Sequence, residues 1–98
     1  MIVEIPSQRF TTRTGVHVLL GITVSCTIAS GTSSAPRIEE VIIQTTEEAV
    51  RTLVKEEDPN DVIGDRDVIA ERVGVILRAQ MSAAGVVVEK VVFTGMRI

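Results

Sequence analysis

A chain of 98 residues with ten basic and thirteen acidic side chains, net charge −3, has the length of one domain. Its cations are scattered, which excludes the basic stripe of a nucleic-acid-binding surface, and its single cysteine excludes an internal disulfide. Valine, isoleucine, threonine and alanine dominate, with Phe10 and Phe93 the only aromatics, so the core must pack through small aliphatic contacts.

Met1–Ile5 is a candidate strand that Pro6 is expected to end, since proline cannot donate to a ladder. Ser7–Thr14 is polar and threonine-rich, compatible with one arm of a hairpin that turns at Thr14-Gly15. Val16–Ala29 is the clearest strand. Val16, Val18, Leu20, Ile22, Val24, Cys26 and Ile28 share one parity, the mark of a single buried face. The other parity carries His17, Leu19, Gly21, Thr23, Ser25 and Thr27. Gly21 there allows a bend or a close backbone approach. Thr23, Ser25 and Thr27 make this face less charged than a freely solvated one, and suited to a partner.

Ser30–Pro36 has the composition of a loop. A helix is expected from Pro36 or Arg37, with Ile38, Ile42, Ala49, Val50 and Leu53 as its inward stripe and Val41, Ile43 and Val54 widening it. Ile42-Ile43-Gln44-Thr45-Thr46 has modest helix propensity, so the first turns are also compatible with strand. Pro59–Gly64 is a connection with Val62 and Ile63 as an apolar plug. Asp65 then serves as N-cap of a second helix, which buries Ile69, Val73, Ile76, Leu77 and Met81 and turns Glu71, Arg72, Arg78 and Gln80 outward. Val68 and Val75 lie off the apolar stripe beside Gly74, where a close neighbour fits, including one from another subunit. Gly85 stops the helix in a left-handed turn. The last strand, Val86–Ile98, changes parity between Val88 and Val91, which predicts a β-bulge near Glu89-Lys90. The order β-β-β-α-α-β in so short a chain predicts an α+β fold: a small twisted, largely antiparallel sheet with two helices on one face.

No catalytic, cofactor-binding or metal-binding constellation emerges. His17 has no local co-ligands. Asp58, Asp61, Asp65 and Asp67 do not have EF-hand spacing and are explained by capping and solvation. There is no Gly-x-Ser-x-Gly elbow and no phosphate-binding glycine loop. Cys26 has no nearby cation or helix start to activate it, and reads as a small buried hydrophobe in a reducing compartment. No segment is long and apolar enough for a membrane-spanning helix, and no basic n-region opens a signal peptide.

From Asp65 onward the sequence resembles the C-terminal part of an SPFH domain, also called the band 7 or prohibitin/stomatin homology domain. The motif is Asp65-Arg66-Asp67, an amphipathic helix to Ala84, Gly85, then Val86, Val88 and Val91. Upstream, Glu48–Lys55 resembles the preceding family helix, with Arg51-Thr52-Leu53, and Thr12–Val18 resembles the family hairpin with Thr14 where Asp is usual. The ending Val91-Val92-Phe93-Thr94 is also similar to that of the flagellar FliL domain, a second candidate relative with a related fold.

The resemblance implies one compact SPFH-like domain over residues 1–98; the N-terminal membrane anchor and C-terminal coiled coil of typical members are departures, not expected in this sequence. It implies a non-enzymatic scaffold that assembles with copies of itself into a ring, cage or filament. The alternative is a monomeric or dimeric protein-binding module within a larger membrane or motor assembly. Candidate self-association residues are Val68, Gly74, Val75, Thr23, Ser25 and Thr27. The expected setting is cytoplasmic, peripheral to a membrane or within a larger particle. No cofactor, nucleic acid or small-molecule substrate is expected.

Overall fold

The computed structural model describes residues 1–28 and 35–97. Residues 30–34 of the expected loop, Ala29 and Ile98 lie outside them. The elements are β1 (Ile2–Thr11), β2 (His17–Ile28), α1 (Ala35–Lys55), α2 (Pro59–Gly64), α3 (Arg66–Met81), a 3-10 turn (Ser82–Ala84) and β3 (Val86–Arg97). The sheet has three strands in the order β1-β2-β3, with both pairings antiparallel. Within the helical layer, α1 packs on β1, α3 on β3, and the two helices on each other. This is the expected α+β architecture.

β2 supplies the centre of the core. Val18, Leu20, Ile22, Val24 and Cys26 are 0% exposed, as the alternation requires. Full burial of an aliphatic side chain is worth about 1.5–3 kcal/mol, so this one strand contributes much of the fold's hydrophobic stabilisation. Val16 does not belong to the run. It lies in the turn before β2 and is exposed. That turn is built as expected on Gly15, at φ +83°, and the backbone N–H and Oγ1 of Thr12 both donate to the Val16 carbonyl at 2.9 Å. These bonds allow Thr12 to be buried.

The expected break at Pro6 does not occur, and the first two predicted segments form one strand. β1 is an edge strand, and its register slips between Ile5↔Ile22 and Gln8↔Leu20, placing one extra residue at Pro6-Ser7. Proline is tolerated at such a bulge because no ladder bond is required of it. The bulge also switches the buried parity, from Val3 and Ile5 to Phe10. In β3 the predicted bulge is present: Ser25 pairs with Lys90 and Cys26 with Val88, leaving Glu89 as the extra residue. Val86 and Val88 before it, and Val91 and Phe93 after it, all face the core. A second slip lies between Gly21↔Thr94 and Leu19↔Arg97, where Gly95 has φ +61°.

α1 is helical throughout, including Ile42–Thr46, because tertiary burial of one face outweighs modest propensity. Its buried stripe is Ile38, Ile42, Thr46, Ala49, Val50 and Val54, while Leu53 and Ile43 are half-buried and Val41 is exposed. Thr46 can join the stripe because its hydroxyl donates back to the Ile42 carbonyl at 2.6 Å. Pro59–Gly64 is a short helix with proline in its first turn, and it buries Val62 but leaves Ile63 exposed. Asp65 precedes α3 but makes no side-chain cap bond, and its backbone N–H bonds Asp61 instead, since α2 runs almost directly into α3. α3 buries Ile69, Ala70, Val73, Gly74, Leu77 and Met81, with Ile76 half-buried. Gly85 stops the helical segment in the left-handed region, at φ +76°, after the 3-10 turn.

Candidate self-association surface

The candidate residues occupy opposite faces of a two-layer molecule. Thr23, Ser25 and Thr27 lie on the outer face of the sheet, which no described element covers. Val68 and Val75 lie seven residues apart on the outer side of α3, 58% and 59% exposed. Gly74 points inward. A Cβ there would meet Val91 Cγ2 at 3.7 Å and Arg78 Nη1 at 3.6 Å, so the element that Gly74 admits is β3 of its own chain.

Cross-strand register defines the outer sheet face. Glu4, Thr23 and Val92 form one row, and Ile2, Ser25 and Lys90 the next. Thr27 pairs with Val87 and donates its hydroxyl to Glu89 Oε1 at 2.9 Å. Towards the hairpin, Leu19 is flanked by Arg9 on one side and Arg97 on the other. Beyond it His17 Nδ1 lies 3.2 Å from Thr11 Oγ1. Ile2, Leu19, Val87 and Val92 are all exposed on this face. The face thus combines hydroxyls, four apolar side chains and an arginine pair about 10 Å apart, two strand spacings. Sequence reasoning missed the arginine pair because only the register brings Arg9 and Arg97 to Leu19.

The helical layer and hairpin are tied together by ions that the sequence left as solvated. Arg13 makes a two-point contact with Asp58, Nε to Oδ1 at 3.2 Å and Nη2 to Oδ2 at 2.8 Å, and its backbone N–H donates to the Glu57 carbonyl at 3.0 Å. Asp58 is therefore a docking partner for the hairpin turn. Arg72 lies 3.7 Å from Glu57. Arg78, expected to face solvent, donates from Nε to the Val88 carbonyl at 2.9 Å and from Nη2 to the Glu89 carbonyl at 3.0 Å. It satisfies two carbonyls at the bulge of this edge strand.

Among the described residues no three His, Cys, Asp or Glu side chains converge as metal ligands. No described helix is long and apolar enough to cross a membrane. Cys26 is buried, and burial pushes its thiol above the ordinary value, away from the reactive thiolate.

Comparison with curated proteins finds no matching relative. A family pattern does match, the SPFH domain / Band 7 family, over residues 2–95. It takes in β1, β2, the helical layer and all but the last two residues of β3, and on that extent the chain belongs to the SPFH domain / Band 7 family.

Proposed function

We propose that this domain is a non-enzymatic scaffold that binds copies of itself and builds a ring, cage or filament. Membership of the SPFH family supports a scaffold or protein-binding role in association with membranes, in a family that is generally non-enzymatic. The observation that carries the finer reading is the uncovered outer face of the sheet. Ile2 and Val87 are 66% and 60% exposed there, Val92 lies one row on from Ile2, and Leu19 stands nearer the hairpin. Exposed apolar side chains on an uncovered face are what an interface uses.

Sedimentation velocity over a range of concentrations tests the proposal. Growth of the sedimentation coefficient into the high micromolar range is expected. A chain that remains monomeric there overturns self-association and leaves the binding-module alternative.

A further inference from the structure

We propose that copies associate head to tail, the outer sheet face of one against the α3 side of the helical layer of the next. This rests on the self-association reading above and names the two faces that meet.

Charge is the first argument. The ten basic and thirteen acidic residues divide unequally between the faces. Arg9, Lys90 and Arg97 stand on the outer sheet face against Glu4 and Glu89, a surplus of positive charge. The other seven basic and eleven acidic residues lie on the hairpin turn and helical layer, a surplus of negative charge. Arg9, Lys90 and Arg97 enter none of the ion pairs among the described residues, and neither do Asp67 and Glu71, which line the groove between α3 and β3 that Lys90 also borders. Opposite surpluses on opposite faces attract when the faces belong to successive copies, whereas sheet on sheet or helix on helix opposes like charges.

Apolar matching is the second. Val68 and Val75 stand about 10 Å apart along α3, two turns. Leu19 and Val92 on the sheet stand about 14 Å apart, four residues along β2 and one strand across, so the two pairs meet as apolar patches rather than residue by residue. Glu71 lies between the two valines, and Arg9 and Arg97 flank Leu19, so each apolar pair carries opposite charge to its counterpart.

The edges argue against the other route. β1 carries Pro6 and a bulge, while β3 carries two bulges and commits the Val88 and Glu89 carbonyls to Arg78. Such features block strand addition, leaving the faces for association. The principal extents are 44, 20 and 16 Å, so a face along the long axis covers about 700–900 Å². That is on the order of the roughly 800 Å² per partner that a standard interface buries.

The test uses paired charge reversals in the whole chain. One variant carries Arg9→Glu with Arg97→Glu, and the other Asp67→Lys with Glu71→Lys. Circular dichroism checks that each is folded. If the second unfolds, Glu71→Lys alone, which keeps Asp67 in the first turn of α3, takes its place. Each variant alone is expected to lose association by at least about tenfold in apparent affinity. An equimolar mixture is expected to regain it, because each variant then meets its complement on both faces. If wild type assembles but the helix-reversed variant assembles equally well alone, or the mixture stays dissociated, the face assignment is overturned. If wild type itself stays monomeric, the self-association reading fails first.

Discussion

Gly21 is the residue at which the sheet is least tolerant. A Cβ built there would lie 2.7 Å from Thr94 Oγ1, 2.8 Å from the Thr94 carbonyl oxygen and 3.2 Å from Ser7 Oγ. The hydroxyls can rotate away, but the carbonyl belongs to the backbone of β3 and cannot move without disturbing the β2–β3 ladder. The bulges at Pro6-Ser7 and beside Gly95 flank this point, so both neighbouring strands bend around it. Gly21→Ala is expected to destabilise by about 1–3 kcal/mol, the range for overpacking. Chemical denaturation measures this, and an unchanged midpoint would show that the three strands do not close over Gly21. Cys26, five residues along the same strand, gives a second residue-scale expectation. Its thiol is raised by burial, so the folded state holds the proton longer than the unfolded state does. The sign follows from linkage: its contribution is complete below the ordinary thiol pKa and is lost as pH rises towards the folded value. Stability should therefore fall on the alkaline side, and a Cys26→Ser variant should lose less over that window. A thiol reagent at mildly alkaline pH should label Cys26 only on unfolding, and rapid labelling of the native protein would refute its burial.

At the scale of elements, legibility followed burial pattern and local turn chemistry. The alternation in β2 was readable because one face of a central strand is wholly buried and the other is not. The Glu89 bulge was readable from the parity slip between Val88 and Val91. The same kind of slip stands in β1, between Ile5 and Phe10, but Pro6 masks it by resembling a strand end. The pairing of Arg13 with Asp58, the placing of Arg78 on the bulge carbonyls and the rows across the outer sheet face were not readable. They depend on register and packing between segments up to 88 residues apart, as Arg9 and Arg97 are. The turn from α3 into β3 is the most local of these features and the easiest to test. Gly85 sits at φ +76°, between a 3-10 turn and a strand whose next residue, Val86, is already in the core. Gly85→Val forces a β-branched residue into the left-handed region, and should cost more than about 1 kcal/mol. A melting temperature equal to wild type would show that the chain can leave α3 by another path.

The whole molecule is a two-layer slab, 44 by 20 by 16 Å, with a radius of gyration of 13.4 Å. That radius is close to the roughly 13 Å of a compact chain of this size, so the length comes with thinness. A slab of one sheet and one helical layer has two broad faces and, among the described residues, no third layer to cover either. The apolar residues on the helical face can be removed without touching the core, which separates assembly from folding. Val68 and Val75 are more than half exposed, and none of the buried stripe of α3 includes them. Replacing both with Glu improves intrinsic helix propensity but places like charges beside Glu71, effects of a few tenths of a kcal/mol each that oppose one another. The monomer should therefore keep its helical circular dichroism and its melting temperature nearly unchanged. Association should fall sharply, because the variant loses the apolar contact. Against the arginine-flanked sheet face, the added charge by itself would be attractive. A loss of association therefore reports the apolar contact, while a gain would mean that charge outweighs it. Sedimentation of Val68→Glu with Val75→Glu at matched concentrations reads the difference. Association unchanged from wild type would remove the outer face of α3 from the interface and leave the sheet to meet some other surface.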